Sequence, residues 1–342
     1  MNRRRPVLFV TNLVAPDRVG AFQALHARSG IELALFGGRS HHATGAVLDH
    51  GVPSREVEQA DVMRLAASGD YRAVVCGTAG RVALPAAWAG ARRAGVPFVL
   101  WSALWAHPRS VAHVAGAVLL RTLYRDADAV VAYGPHVASF ARRNGARRVA
   151  IAPQAVDGAF WSAHPDGPAW RRGAEFAVVF VGRDEPGKGL DVLLDAWSRV
   201  RLAPPSAALA LVGVDGMPGG VGPQPPASVR NFLSTADVVV VPSRRTSTFR
   251  EPWGLVVNEA MHAGTPVIAT DQVGAAAGGL VRNGRNGLVV PSEDPAALAA
   301  ALRLLRDDPD LRARLGAAAR EDVAPYTFTA WAEGFAQVLP LA

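Results

Sequence analysis

Short, almost wholly apolar runs recur along this chain, separated by longer Ala-, Leu- and Arg-rich stretches of helical character, and the series runs twice. In the first half the runs fall at 7–10, 31–35, 73–76, 98–101, 129–132 and 149–152. In the second they fall at 176–181, 208–212, 238–241, 267–269 and 288–290, with helical stretches at 189–200, 228–236, 254–263, 295–306 and 311–322. Strands buried on both faces of a parallel sheet read as continuous apolar runs, and their alternation with helices makes βαβ units. Two such series predict two doubly wound, Rossmann-like α/β domains, and 342 residues suffice for both. Residues 157–173, with three glycines, two prolines and no periodicity, read as the linker between a first domain, 1–156, and a second, 174–325. A last amphipathic stretch, 326–342, follows Pro325. Two domains in series imply a cleft, and ligands of such sheets bind beyond the strand carboxyl ends.

Composition narrows the function. One cysteine, Cys76, excludes a disulfide framework and a four-cysteine zinc site. No apolar run approaches the roughly 18 residues of a membrane span. The opening Arg3-Arg4-Arg5 before Val7-Leu8-Phe9-Val10 imitates a signal peptide, but the run breaks at Thr11-Asn12 and reads as a first strand, so the expected compartment is the cytoplasm. A net charge of +7 points to an anionic partner. The basic residues are scattered as pairs such as Arg92-Arg93 and Arg244-Arg245, without the motifs of nucleic-acid readers, so nucleic acid is not expected. Phosphorylated small molecules fit best, and a peripheral contact with an anionic membrane is compatible. Of the 36 basic residues 35 are arginine, and the single lysine is Lys188. A lone ammonium in such a chain marks a place where arginine's planar fork fails; chance composition is the plainer alternative.

Lys188 lies in a telling place. The strand at 176–181 runs into Gly182-Arg183-Asp184-Glu185-Pro186-Gly187-Lys188-Gly189 and then a helix. A strand, a glycine-rich turn and a helix N-terminus form an anion site, because unpaired backbone N–H groups and the helix dipole face the ligand. Arg183 and Lys188 bracket the turn, placing both within reach of one diphosphate. A turn with two solvated cations is the alternative. The second element is Glu251-Pro252-Trp253-Gly254-Leu255-Val256-Val257-Asn258-Glu259. At 1.5 Å rise per residue the two glutamates would stand about 12 Å apart on a helix, too far to act on one atom but suited to two ends of an extended ligand. A dipole-favoured glutamate and a solvated one would produce the same string.

Pro242-Ser243, Glu251-Pro252-Trp253-Gly254-Leu255, Glu259-Ala260-Met261, Gly264-Thr265-Pro266-Val267 and Asn286-Gly287-Leu288-Val289 together resemble the retaining glycosyltransferases of family 4, with the GT-B fold. The resemblance covers nearly all of 176–325; in the first half only Ala127-Asp128-Ala129-Val130-Val131 and Pro153-Gln154-Ala155-Val156-Asp157 are similar. It implies an acceptor domain followed by a nucleotide-sugar (donor) domain, and a last helix crossing back to the first. It further implies that Glu251 meets the hydroxyls of the donor sugar and Glu259 the ribose. Arg183 and Lys188 would neutralise the diphosphate, faced also by the backbone of Gly254, Leu255 and Val256. No cofactor or metal is implied; the nucleotide-diphosphate sugar, a UDP- or GDP-sugar, is a substrate. The acceptor is unidentified, with cell-envelope, lipid-linked and secondary-metabolite acceptors all compatible.

The chain also departs from that pattern. Pro/Gly-rich sequence fills 216–226, and Val221-Gly222 occupies the place where the base is met. Trp101-Ser102 stands where the family often has a histidine; the nearest is His107, a candidate for the active site or a loop histidine. The glycine-rich loop of the acceptor domain is reduced to Pro16-Asp17-Arg18-Val19-Gly20, in which Gly20 is a close approach to the donor or a turn glycine. Asp126-Ala127-Asp128 spells a metal-binding string but precedes an apolar strand, and His41-His42 with Asp49 and His50 lacks a four-ligand spacing, so no metal is expected. A sugar-nucleotide epimerase or hydrolase of the same fold, or a non-catalytic nucleotide-sugar binder, are the competing functions.

Overall fold

The computed structural model describes residues 5–37, 49–107, 111–163, 170–171, 173–200 and 206–341. His41 and His42 lie outside them. The chain divides into two compact units, residues 1–155 with 326–342, and residues 156–325.

In the first unit the strands are β1 (Val7–Thr11), β2 (Ile31–Leu35), β3 (Ser54–Glu56), β4 (Ala73–Gly77), β5 (Phe98–Ser102), β6 (Ala129–Ala132) and β7 (Val149–Ile151). They form one parallel sheet in the order β3-β2-β1-β4-β5-β6-β7. The pleat sends alternate residues to opposite faces. Leu8, Val10, Val74, Cys76, Leu100 and Val130 pack on one side, and Val7, Phe9, Val75, Val99 and Val131 on the other. The helix Phe328–Ala336 belongs to this second side. It is capped by Thr327, whose hydroxyl accepts from Ala330 N at 3.0 Å, and it buries Trp331 and Phe335 completely. Trp331 meets Phe22 edge-on at 5.5 Å, and Phe335 lies 5.5 Å from Phe9. Each such ring contributes about 2–3 kcal/mol by burial.

The second unit holds β8 (Phe176–Val181), β9 (Ala207–Val212), β10 (Gly220–Gly222), β11 (Val238–Val241), β12 (Val267–Thr270) and β13 (Gly287–Val290). Its parallel order is β10-β9-β8-β11-β12-β13, so the strand order reverses between β8 and β11. Crevices at such reversals are where doubly wound sheets bind ligands.

Three local readings are corrected. β3 and β10 are strands the sequence conceals: Ser-Arg-Glu and Gly-Val-Gly carry no apolar run, because each lies at a sheet edge with little to bury. The stretch 157–173 is not a free linker throughout. Asp157 caps a helix, Gly158–Ser162, by accepting from Phe160 N at 3.0 Å. Farther on, Arg171 pairs with Asp237 at 2.7 Å, and Asp237 also accepts from Ala177 N at 2.8 Å, which ties the segment to the start of β8. Among the described residues no helix is long and apolar enough to cross a membrane.

Candidate functional site

The informative residues gather at the β8/β11 reversal. After β8 the chain makes a turn of 3-10 helix at Pro186–Lys188 and enters the helix Leu190–Val200 through Gly189. Gly189 has φ +68°, and a Cβ there would run into the Pro242 carbonyl oxygen, so only glycine lets the turn lie against the end of β11. Arg244 clamps the turn from the other side: its N–H donates to Gly187 O at 3.0 Å, its Nε to Pro186 O at 2.6 Å, and its guanidinium pairs with Asp191 at 2.8 Å.

Glu251 is delivered to the same place by a separate loop. Its backbone bridges Val273, and its carbonyl accepts from Gly274 N at 3.1 Å. Two residues on, the Trp253 ring is buried, and its indole donates to Asn258 Oδ1 at 2.7 Å. Gly254 then opens the helix Leu255–Ala263 with φ +85°. The first-turn N–H groups of that helix have no carbonyl behind them within it.

The result is a direct ion pair: Lys188 Nζ stands 2.7 Å from Glu251 Oε2, with the glutamate 7% exposed. Ser243, at the end of β11, donates to the same oxygen at 3.2 Å, and the Phe249 ring lies 5.5 Å beneath the ammonium. The sequence brings Lys188 and Glu251 to one ligand as separate contacts; the fold makes them partners. Ser243 and Phe249 were invisible as site residues, although Pro242-Ser243 was a signal for the former.

The other candidates are dispersed. Arg183 does not join Lys188: its fork closes on Glu185 at 2.6 and 3.1 Å, with about half of each side chain in solvent. An exposed pair of this kind is worth only about 0–1 kcal/mol, so Arg183 is readily exchanged from Glu185. Glu259 is half-buried on the helix Leu255–Ala263. Val221 and Gly222 form the edge strand β10, but Gly222 N–H already donates to Val214 O at 2.9 Å and its carbonyl accepts from Gly213 N at 2.8 Å. Gly222 therefore has no N–H left over for a base.

In the first unit, His107 bonds through Nε2 to Asn144 Oδ1 at 3.0 Å and rests 4.8 Å from the Phe140 ring, buttressing the helix Pro135–Arg143. Gly20 is neither a turn glycine nor an open approach. It lies within the helix Val19–Ser29, where a Cβ would run into the Phe328 ring. Asp126 pairs with Arg125 at 3.0 Å, and Asp128 accepts from Phe98 N at 2.8 Å, both local ties at the entrance to β5. Among the described residues no three His, Cys, Asp or Glu side chains converge as a cation site.

Residues 170–322, which contain Lys188, Glu251 and their partners, match the family model described as glycosyl transferases group 1. The match covers most of the second unit. The D-inositol 3-phosphate glycosyltransferase of Thermomonospora curvata is 37% identical over 172 residues, covering 42% of this chain and 38% of that protein. The enzyme of the same name from Streptomyces scabiei is 36% identical over 187 residues, 48% of this chain and 41% of that one. The chain thus spans about two fifths of the length of these curated relatives in the matched stretch. Solved structures are similar over nearly the full length: Anabaena Alr3699/HepE in complex with UDP (TM-score 0.78, 19% identity, 98% of this chain and 99% of that one). Sucrose-phosphate synthase from Thermosynechococcus elongatus gives a TM-score of 0.73 at 20% identity, covering 98% of each. The fold is therefore GT-B, with two parallel-sheet, Rossmann-like units.

Proposed function

We propose that the chain is a glycosyltransferase that takes a sugar from a nucleotide-diphosphate sugar and passes it, with retention and without a metal ion, to an acceptor hydroxyl. The observation that carries this reading is the Lys188–Glu251 pair at the β8/β11 reversal. The diphosphate and the sugar of a donor are joined by a single glycosidic oxygen. Two groups held 2.7 Å apart suit that junction, with Lys188 toward the phosphate and Glu251 toward the sugar hydroxyls. The group 1 match and the complex of HepE with UDP support a nucleotide donor.

The chemistry is then a displacement in which the bond from the anomeric carbon to the phosphate oxygen breaks and a bond to the acceptor oxygen forms on the same face. The acceptor proton leaves on the departing phosphate. Charge builds on the diphosphate, and the chain's contribution is to hold charge ready for it: the Lys188 ammonium, the first-turn amides of Leu255–Ala263, and Arg183 once exchanged from Glu185. Glu259 serves the ribose. The test is turnover of UDP-, GDP-, ADP- and TDP-hexoses with water and a panel of acceptors, with and without EDTA, and the anomeric configuration of the product read by NMR. Release of nucleoside diphosphate that survives EDTA, with the configuration kept, is expected. Inversion, or an absolute need for a divalent ion, overturns the reading.

A further inference from the structure

The loop from Ser243 to Glu251 turns back on itself before it reaches the glutamate. Thr246 N–H donates to Phe249 O at 2.9 Å, and the Thr246 hydroxyl accepts from Phe249 N at 3.0 Å, so both polar groups of the Phe249 backbone are held. Its half-buried ring packs on the backbone at Gly187, where a Cβ would overlap it. Gly187 is itself fixed, because its carbonyl accepts from Arg244 N at 3.0 Å. The ring therefore cannot swing away without opening the turn over 246–249 and losing its packing. Over this fixed ring stands the Lys188 ammonium, 5.5 Å from the centroid.

An ammonium over an aromatic face is attracted by the ring quadrupole, and more strongly where it is withdrawn from water. Lys188 keeps only about a quarter of its side chain exposed. Its stem is flexible, and its ammonium leans on Glu251 at 2.7 Å. On the donor reading, the sugar hydroxyls draw on that carboxylate and the diphosphate draws on the ammonium. Ser243, donating to Glu251 Oε2 at 3.2 Å, goes on holding the carboxylate. The ring is placed to do the same for the ammonium. It attracts the cation without accepting a directed hydrogen bond, so it leaves the three N–H donors to oxygens. A leucine would fill the space without that attraction.

We propose that Phe249 is the positioning residue of Lys188: its ring keeps the ammonium beside Glu251 and turned to the diphosphate, with its N–H donors left for the carboxylate and the phosphate. The proposal rests on the donor reading for the identity of the ligand. The hold of the ring on the ammonium is tested apart from it.

Lys188 is the single lysine, so the full chain made with isotope-labelled lysine shows one lysine side chain by NMR. In wild type and F249Y the ring current should move its ε-methylene protons upfield of free lysine, and in F249L they should return toward the free position. UDP, titrated next, should shift the signal of wild type and bind F249L more weakly. In donor turnover F249L should lower kcat about three- to tenfold, with a smaller change in KM, and F249Y should recover most of the loss. Should F249L not fold, trifluorophenylalanine at the same position keeps the shape, removes the quadrupole and replaces it in the kinetic comparison. In a K188A background the same substitution should leave kcat unchanged, since the group on which the ring acts is gone. A ring needed only for packing would lower the rate in both backgrounds. An ε-methylene signal that does not respond to F249L, or an equal loss of rate with and without Lys188, overturns the proposal. If UDP leaves the wild-type Lys188 signal unmoved, the donor reading falls, and the ring-current comparison still decides whether Phe249 holds the ammonium.

Discussion

The carboxyl ends of the two sheets are built alike and furnished differently. In the second unit the end of the sheet is charged and backbone-rich: Lys188 on Glu251, Arg244 over the turn, and glycine at Gly189 and Gly254. In the first it is aromatic. Trp101 at the end of β5 lies 5.4 Å from Tyr133, over which Arg18 sits at 5.7 Å while bonding to buried Gln154. Glycine differs too, since Gly189 lets two loops meet at the site, whereas Gly20 makes room for Phe328 of the last helix. The same topology thus supplies a charged, glycine-rich end in one unit, the cradle proposed for the diphosphate, and a stiff hydrophobic platform in the other. The difference comes from side chains beyond the strands.

The largest effect should come from attacking the platform. Trp331→Ala removes a fully buried ring and should lower unfolding stability by about 3–5 kcal/mol, measured by urea denaturation. If the transition of the second unit moved as far as that of the first, the two units would not be separate cores. Next is the cradle. Lys188→Ala should raise the barrier of transfer by about 2–4 kcal/mol, through kcat more than through the donor KM. Lys188→Arg should restore only part, because a planar fork does not fit where the ammonium meets Glu251 and Phe249. Full activity in the arginine variant would mean that the lone lysine is an accident of composition.

Matched glycine substitutions sharpen the contrast. Gly20→Ala should cost about 1–3 kcal/mol of stability through overpacking against Phe328, with UDP affinity kept. Gly189→Ala, whose Cβ would run into the Pro242 carbonyl at φ +68°, should lower stability and weaken UDP binding together. The reverse pattern would exchange the roles assigned to the two glycines.

The smallest effect is one of pH. His262 is packed against Gly158, and its Nε2 is buried without a hydrogen-bond partner among the described residues. Burial pushes its pKa below the ordinary 6.5, with Asp157 acting the other way. The unfolded chain therefore binds the proton at a higher pH than the folded one. The stability this neutral ring contributes is present above about 6.5 and is lost as pH falls toward the folded value. Stability of the second unit measured between pH 7.5 and 5.5 should decline in wild type and decline less in His262→Gln.

The strands that lie inside the sheets were legible because an inner strand needs no knowledge of its neighbours: it is apolar on both faces wherever it sits. Two of the four edge strands were not: β3 and β10 bury little and show no pattern, whereas the edges β7 and β13 keep apolar runs. Asp157 was legible only in hindsight, as the cap of a five-residue helix too short to have a period of its own. In the site, Glu251 and Lys188 could be singled out by motif and by rarity. That they form a pair, 63 residues apart in the chain, could not.

What the chain's own order of residues determined is therefore the local part: two βαβ series, a glycine turn with a lone lysine, and a glutamate ahead of a helix. These follow from period, propensity and composition, which act between near neighbours. Tertiary structure alone decided which charges meet. It set Lys188 on Glu251 and Arg183 on Glu185, and it set His107 on Asn144. It also decided that Gly20 faces a helix more than 300 residues away in sequence. Such partnerships depend on where the strand order reverses and on which loops the sheet brings to one end, distances that no local pattern encodes.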